Sequence, residues 1–163
     1  MEYASEKLKN DREIVMAAMI LDDNVIKYAS KQLREEILMT TFEVVTTTDL
    51  GINVFESKEH KLQVALDDLE SPLKWDEISD ALREWKMGKG DGWRLPTIVE
   101  LELIYRGLHL KSIGNFSPEN YWSSTTRLNS THASTLVFTG GYDEIISLYR
   151  GNNTIPVRAV RSI

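Results

Sequence analysis

A chain of 163 residues, 42% hydrophobic and 27% charged, has an ordinary globular make-up and length for one sizeable core or for a domain of about 100 residues with an appendage. The formal charge of −6 arises mainly from residues 1–60, which hold 7 Lys/Arg against 12 Asp/Glu, while residues 61–163 hold 12 against 13, so no basic stripe for nucleic acid is expected. Cysteine is absent, which excludes disulfides, thiol catalysis and Cys-ligated zinc, and the longest apolar run, Ile14 to Leu21, is too short to span a membrane.

The chain opens on a repeat: Tyr3-Ala4-Ser5-Glu6-Lys7-Leu8-Lys9 returns 25 residues later as Tyr28-Ala29-Ser30-Lys31-Gln32-Leu33-Arg34, the mark of a repeated helical unit. Asn10 and Glu13 have capping-box spacing, and Ile14, Ala17, Ala18 and Leu21 then fall on one helical stripe. Residues 1–40 hold only about one and a half such units, too few to bury their own faces, so this segment is expected to pack on the rest of the chain or on a partner. The acidic start lacks the apolar stretch of a secretory leader, so the expected location is cytoplasmic, virion-associated, or outside after export without a cleaved leader.

Residues 41–60 change to Thr, Val, Ile and Phe around Asp49-Leu50-Gly51 and read as an extended linker or a hairpin. Lys61 to Leu66 alternates as the first strand of a second domain, residues 61–163. Trp75, Ile78, Ala81, Leu82 and Trp85 recur at helical spacing, with Gly88 placed to end that helix and Lys89 to Gly92 as a turn. Thr97 and Glu100 predict a capping box at the head of a second helix, which Gly107 closes. Short strands are expected at Tyr121 to Ser124, Ser134 to Phe138, Glu144 to Tyr149 and Pro156 to Val160. The predicted class is α+β, with two helices early and a small antiparallel sheet late.

Within 61–163, Leu62-Gln63-Val64-Ala65, Trp75-Asp76-Glu77, Gly92-Trp93-Arg94-Leu95-Pro96-Thr97, Asn120-Tyr121-Trp122-Ser123-Ser124-Thr125 and Val157-Arg158-Ala159-Val160-Arg161 occur in order. Together they resemble the C-terminal domain family of bacterial collagen-like adhesins, itself similar to the C-type-lectin-like and formylglycine-generating-enzyme folds. The wording of the N-terminal repeat resembles a short helical-repeat family of uncharacterised function. The resemblance implies a C-type-lectin-like domain. Its oxygen-using relatives employ cysteines or a histidine cluster, whereas this chain has no Cys and its three histidines, His60, His109 and His132, are far apart. Its calcium-binding relatives use Glu-Pro-Asn-like and Trp-Asn-Asp-like triplets; here Pro118-Glu119-Asn120 stands in another order and no Trp-Asn-Asp exists. No metal or cofactor is therefore expected, and a calcium ion would fall on Asp143, Glu144, Asn152 and Asn153 if anywhere.

Trp93, Leu95, Trp122 and the aliphatic residues of 157–161 read as core, and Arg94, Arg158 and Arg161 as internal ties to backbone or carboxylate. Ser123 and Ser124 have no base nearby in sequence, and without nucleophile–base pair, metal-ligand spacing or phosphate loop no enzyme is expected. Between Thr125 and Thr154 lies the expected recognition surface: Arg127, Asn129, His132, Tyr142, Asp143, Tyr149, Arg150, Asn152 and Asn153. Tyr, Arg and Asn on loops of a rigid sheet combine firm contact area with adaptable hydrogen bonds. Relatives commonly keep Ala-Trp where this chain reads Ala133-Ser134, so local packing there is expected to differ. The favoured reading is a non-enzymatic module that presents these loops to a carbohydrate, a sulfated polymer or a protein surface, with no nucleic acid or membrane partner. In it the helical N-terminus attaches to a larger assembly. The alternative is a structural or assembly protein of a phage or other virion that binds no small ligand.

Overall fold

The computed structural model describes residues 5, 7, 11, 28–33, 43–55, 61–126, 131–139 and 144–163. Apart from Asp11, the helix expected from Asn10 to Leu21 lies outside them, as does His60. The fold is α+β, with seven strands in two antiparallel sheets among the described residues.

The first sheet begins with a hairpin of β1 (Glu43–Thr48) and β2 (Gly51–Phe55). Its turn is tied by Thr48, whose hydroxyl accepts from the Leu50 and Gly51 amides at 3.3 and 3.2 Å and donates to the Gly51 carbonyl at 3.0 Å. β2 pairs over five residues with β3 (Lys61–Ala65), which pairs in turn with the final strand, β7 (Val160–Ser162), in the order β1-β2-β3-β7. The stretch expected as a linker or hairpin ahead of a second domain thus supplies half the sheet that β3 belongs to. Alternation explains the two faces: Ile52, Val54, Leu62 and Val64 are buried, while Asn53, Gln63 and Arg161 stand opposite one another across three strands. Gln63 joins that polar row, donating to Asn53 Oδ1 at 2.6 Å and accepting from Arg161 Nε at 2.7 Å.

After a 3-10 turn at Trp75–Glu77 comes α1 (Ile78–Lys89). It runs past Gly88, the expected end. Gly90 closes it with φ 83°, a conformation glycine adopts without strain, while its amide bonds the Lys86 carbonyl at 3.0 Å. α2 (Ile98–Gly107) starts as the spacing predicts, with Thr97 Oγ1 accepting from the Glu100 amide at 3.2 Å and Glu100 Oε2 from the Thr97 amide at 2.7 Å. Leu101 and Ile104 are fully buried, as is the C-cap Leu108, which makes α2 the central helix. The second sheet is β4 (Asn120–Thr126), β5 (His132–Val137) and β6 (Ile145–Tyr149). The strand expected at Pro156 to Val160 differs. Residues 155–159 run alongside 65–73 through single bonds such as Leu69 N to Val157 O at 2.9 Å, and a ladder forms only from Val160, since Pro156 has no amide to give.

Two apolar clusters fill the interior. One joins Ile52, Val54, Leu62 and Val64 to α2 and to Tyr121, Leu136 and Phe138. Leu33 is buried in it with Ala29 packed alongside, so the described part of the N-terminal segment rests on this core. The other gathers Ile78 and Leu82 of α1 with Trp93, Trp122, Val157 and Ala159, and Trp93 meets Trp85 edge-on at 5.2 Å.

His109 packs into the first cluster, stacked on Tyr105 at 5.3 Å and tilted against Phe138 at 5.0 Å. Burial lowers its pKa below the ordinary 6.5, outweighing a backbone hydrogen bond with Phe138 that acts the other way. The unfolded chain therefore binds the His109 proton more readily, so His109 stabilises the fold above about pH 6.5 and that contribution drains away as the pH falls. Between pH 7.5 and 5.5 the melting temperature of the wild type should drop more than that of His109→Phe; equal drops would contradict this assignment.

Candidate recognition surface

Three arginines are spent internally. Arg158, with no exposed side-chain surface, donates from Nε to Asp68 Oδ1 at 2.7 Å and from its terminal nitrogens to the carbonyls of Ala65, Leu66, Gly114 and Asn115 at 2.6–3.2 Å. Its guanidinium lies 3.9 Å from the Phe116 ring centre. Tyr121 completes this node: its hydroxyl donates to Asp68 Oδ2 and accepts from the Ser117 amide, both at 2.8 Å. Burial above all, and then the Asp68 charge, raise the phenol's pKa, which keeps it a donor. Arg94 grips Glu100 in a two-pronged pair at 2.6 and 2.8 Å, and Arg161 covers the Trp93 ring at 4.6 Å.

The serines after Trp122 are also structural. The β4–β5 register shifts between Trp122 and Thr126, and Ser123 Oγ fills that irregularity by donating to the Ser134 carbonyl at 2.7 Å and accepting from the Thr125 amide at 3.2 Å. Ser124 Oγ donates to the Pro96 carbonyl at 3.2 Å. Among the described residues no group of three His, Asp or Glu side chains is placed to hold a metal ion, and no helix is long and apolar enough to cross a membrane.

Five of the nine expected recognition residues are described, and they gather at one end of the second sheet. His132 and Tyr149 face each other across the β5–β6 ladder, rings edge-to-face at 5.7 Å, with Tyr149 44% exposed. The Arg150 amide closes the ladder on the Thr131 carbonyl at 3.0 Å. Gly151 lies so close that a Cβ would sit 2.9 Å from the Tyr149 ring, which is why the turn lies flat against it. Asn153 Nδ2 donates to the Tyr149 carbonyl at 2.8 Å, and Asn152 is exposed. The other four, Arg127, Asn129, Tyr142 and Asp143, lie outside the described residues.

Sequence reasoning missed Trp75 and Asp76 as members of this corner. The Arg150 guanidinium stacks 4.6 Å from the Trp75 ring centre, and its Nε stands 3.7 Å from Asp76 Oδ1, an ion pair too long for a hydrogen bond. With Asp76 60% exposed, that pair adds at most about 1 kcal/mol. Trp75 is anchored by its indole N–H on the Ser123 carbonyl at 2.8 Å. The spacing with Ile78 assigned Trp75 to the stripe of α1, yet it occupies the 3-10 turn before the helix; Ser71-Pro72 just upstream is the one signal of that turn.

Residues 1–34, the stretch that carries the 25-residue repeat, match the family described as a domain of unknown function (DUF4116). No curated protein matches the chain.

Proposed function

We propose that the chain is a non-enzymatic recognition module of C-type-lectin-like architecture, presenting the corner of His132, Tyr149, Arg150, Asn152 and Asn153 to a carbohydrate, a sulfated polymer or a protein surface. The observation that carries this reading is the His132–Tyr149 pair beside Arg150 stacked on Trp75. The His132–Tyr149 pair is exposed and held by a five-pair ladder, and the half-buried Arg150–Trp75 pair next along the chain is held by a tied-down indole. Such groups lose little freedom on binding and supply most of the energy in recognition surfaces. The lectin-like arrangement draws support from the pairing of β3 with the final strand, which brings the two ends of residues 61–163 together. The bonding of both serine hydroxyls to backbone carbonyls supports a role without catalysis.

The experiment is a binding panel of immobilised neutral glycans, sulfated polysaccharides and protein surfaces, run with the wild type and with Tyr149→Ala/Arg150→Ala. Binding should fall by at least tenfold in the double variant, since aromatic and Arg anchors each contribute about 1–2 kcal/mol or more. Its melting temperature should stay close to the parent's, because exposed substitutions usually cost under about 0.5 kcal/mol and the lost stacking about as much again. For a sulfated polymer the affinity should also decline with salt as Arg150 is screened. Undiminished binding by the double variant would remove this corner from the account.

A further inference from the structure

Trp75 belongs to a second feature, a groove of about 360 Å³ between α1 and the Trp93–Leu95 segment. Its floor is apolar: Ile78 and Leu82 from α1, Leu95 opposite, and Trp75 at one end. Its rim is charged, with Asp76, Lys86 and Arg94. Ile78, Leu82 and Lys86 recur every four residues along α1, so they follow one stripe and together line the groove.

The charges on the rim are unequal. Arg94 is committed to Glu100 through both terminal nitrogens, and Asp76 faces Arg150. Lys86 has no carboxylate within ion-pair distance among the described residues, so the groove combines an apolar floor with one uncompensated positive charge. The volume is at the lower end of the range of about 300–1,000 Å³ for small-molecule sites. A purely polar ligand would leave the floor poorly covered, and a cation would meet Lys86.

We infer that this groove is a binding site for a small apolar anion, a ring or short aliphatic body carrying one carboxylate, with the body on Ile78, Leu82 and Leu95 beside Trp75 and the carboxylate at Lys86. The site is distinct from the late-loop corner, with which it shares only Trp75 and Asp76.

The test is a titration of the full chain with 1-naphthoate, followed by amide and indole resonances, against 1-naphthalenemethanol and 1-naphthylmethylamine as neutral and cationic counterparts. The expected result is saturable shifts confined to residues 78–86, 93–95 and 124 and the Trp75 indole. Naphthoate should bind about tenfold more tightly than either counterpart, the size of one charge-assisted contact. Lys86→Gln should remove that tenfold preference while leaving the alcohol's affinity unchanged, and Lys86→Arg should retain it. No saturable shift at millimolar naphthoate, equal affinity for the three probes, shifts centred elsewhere, or a preference that survives Lys86→Gln in a normally folded variant would each overturn the inference.

Discussion

Arg158→Met should abolish the native fold or bring its melting point down to the working temperature. Methionine fills much of the same space, so the loss is in polar bonding. Asp68 would lose the cation bonded at 2.7 Å, and the carbonyls of Ala65, Leu66, Gly114 and Asn115 would lose a donor whose own side chain is fully buried among them. Removing one partner of a buried ion pair costs about 3–5 kcal/mol, against a total of about 5–15 kcal/mol for a typical domain. These bonds join three places far apart in the chain, the exit of β3, the loop before β4 and the segment before β7, so their loss releases all three together. Arg158→Lys should recover only part of the deficit, because an ammonium cannot span acceptors arranged around a planar fork. Urea denaturation of both variants checks this; an Arg158→Met protein with a midpoint close to the parent's would show that the node contributes little.

Trp93→Ala should be nearly as severe. The side chain is 1% exposed at the centre of the second cluster, touching Trp85 edge-on and covered by Arg161. Truncating a buried Trp costs about 3–5 kcal/mol, from lost transfer energy and the cavity left behind. Trp93 joins α1 to the segment that pairs with β7 through the Arg94–Val160 bridge, so collapse around the hole would shift both. Thermal melting followed by near-ultraviolet dichroism reads the outcome, and a cooperative transition within a few degrees of the parent's would contradict the core assignment.

What could be seen in the sequence was what local chemistry decides. Thr97 and Glu100 cap α2 as their spacing predicts, because a capping box needs nothing beyond one turn of chain. Trp93, Trp122, Val157, Ala159 and Val160 are in the core because few other places bury so much apolar area, and Arg158 is tied internally because a buried guanidinium needs acceptors. The end of α1 was placed at Gly88 and lies at Gly90, since the two glycines are two residues apart and helix spacing does not choose between them. Alternation marked β3 as a strand and composition marked residues 41–60 as an extended linker or hairpin, but neither says which strands are neighbours, so the union of the hairpin with the sheet of β3 and β7 emerges only in the structure.

The same limit governs the site. Tyr149, Arg150 and His132 were legible as loop and strand-end residues of binding type, whereas Trp75 and Asp76 join them from a turn more than fifty residues earlier, through a stacking contact that no local spacing encodes.

The central claim is that the corner around His132, Tyr149 and Arg150 is where this chain meets its ligand. Amide hydrogen exchange, comparing the free chain with its complex with the tightest ligand from the panel, tests it most directly. The account predicts new protection at residues 131–133, 148–153 and 75–76, with the rest of the described sheet unchanged. Protection concentrated instead at residues 28–33 or along β1 and β2, with that corner exchanging as before, would contradict it.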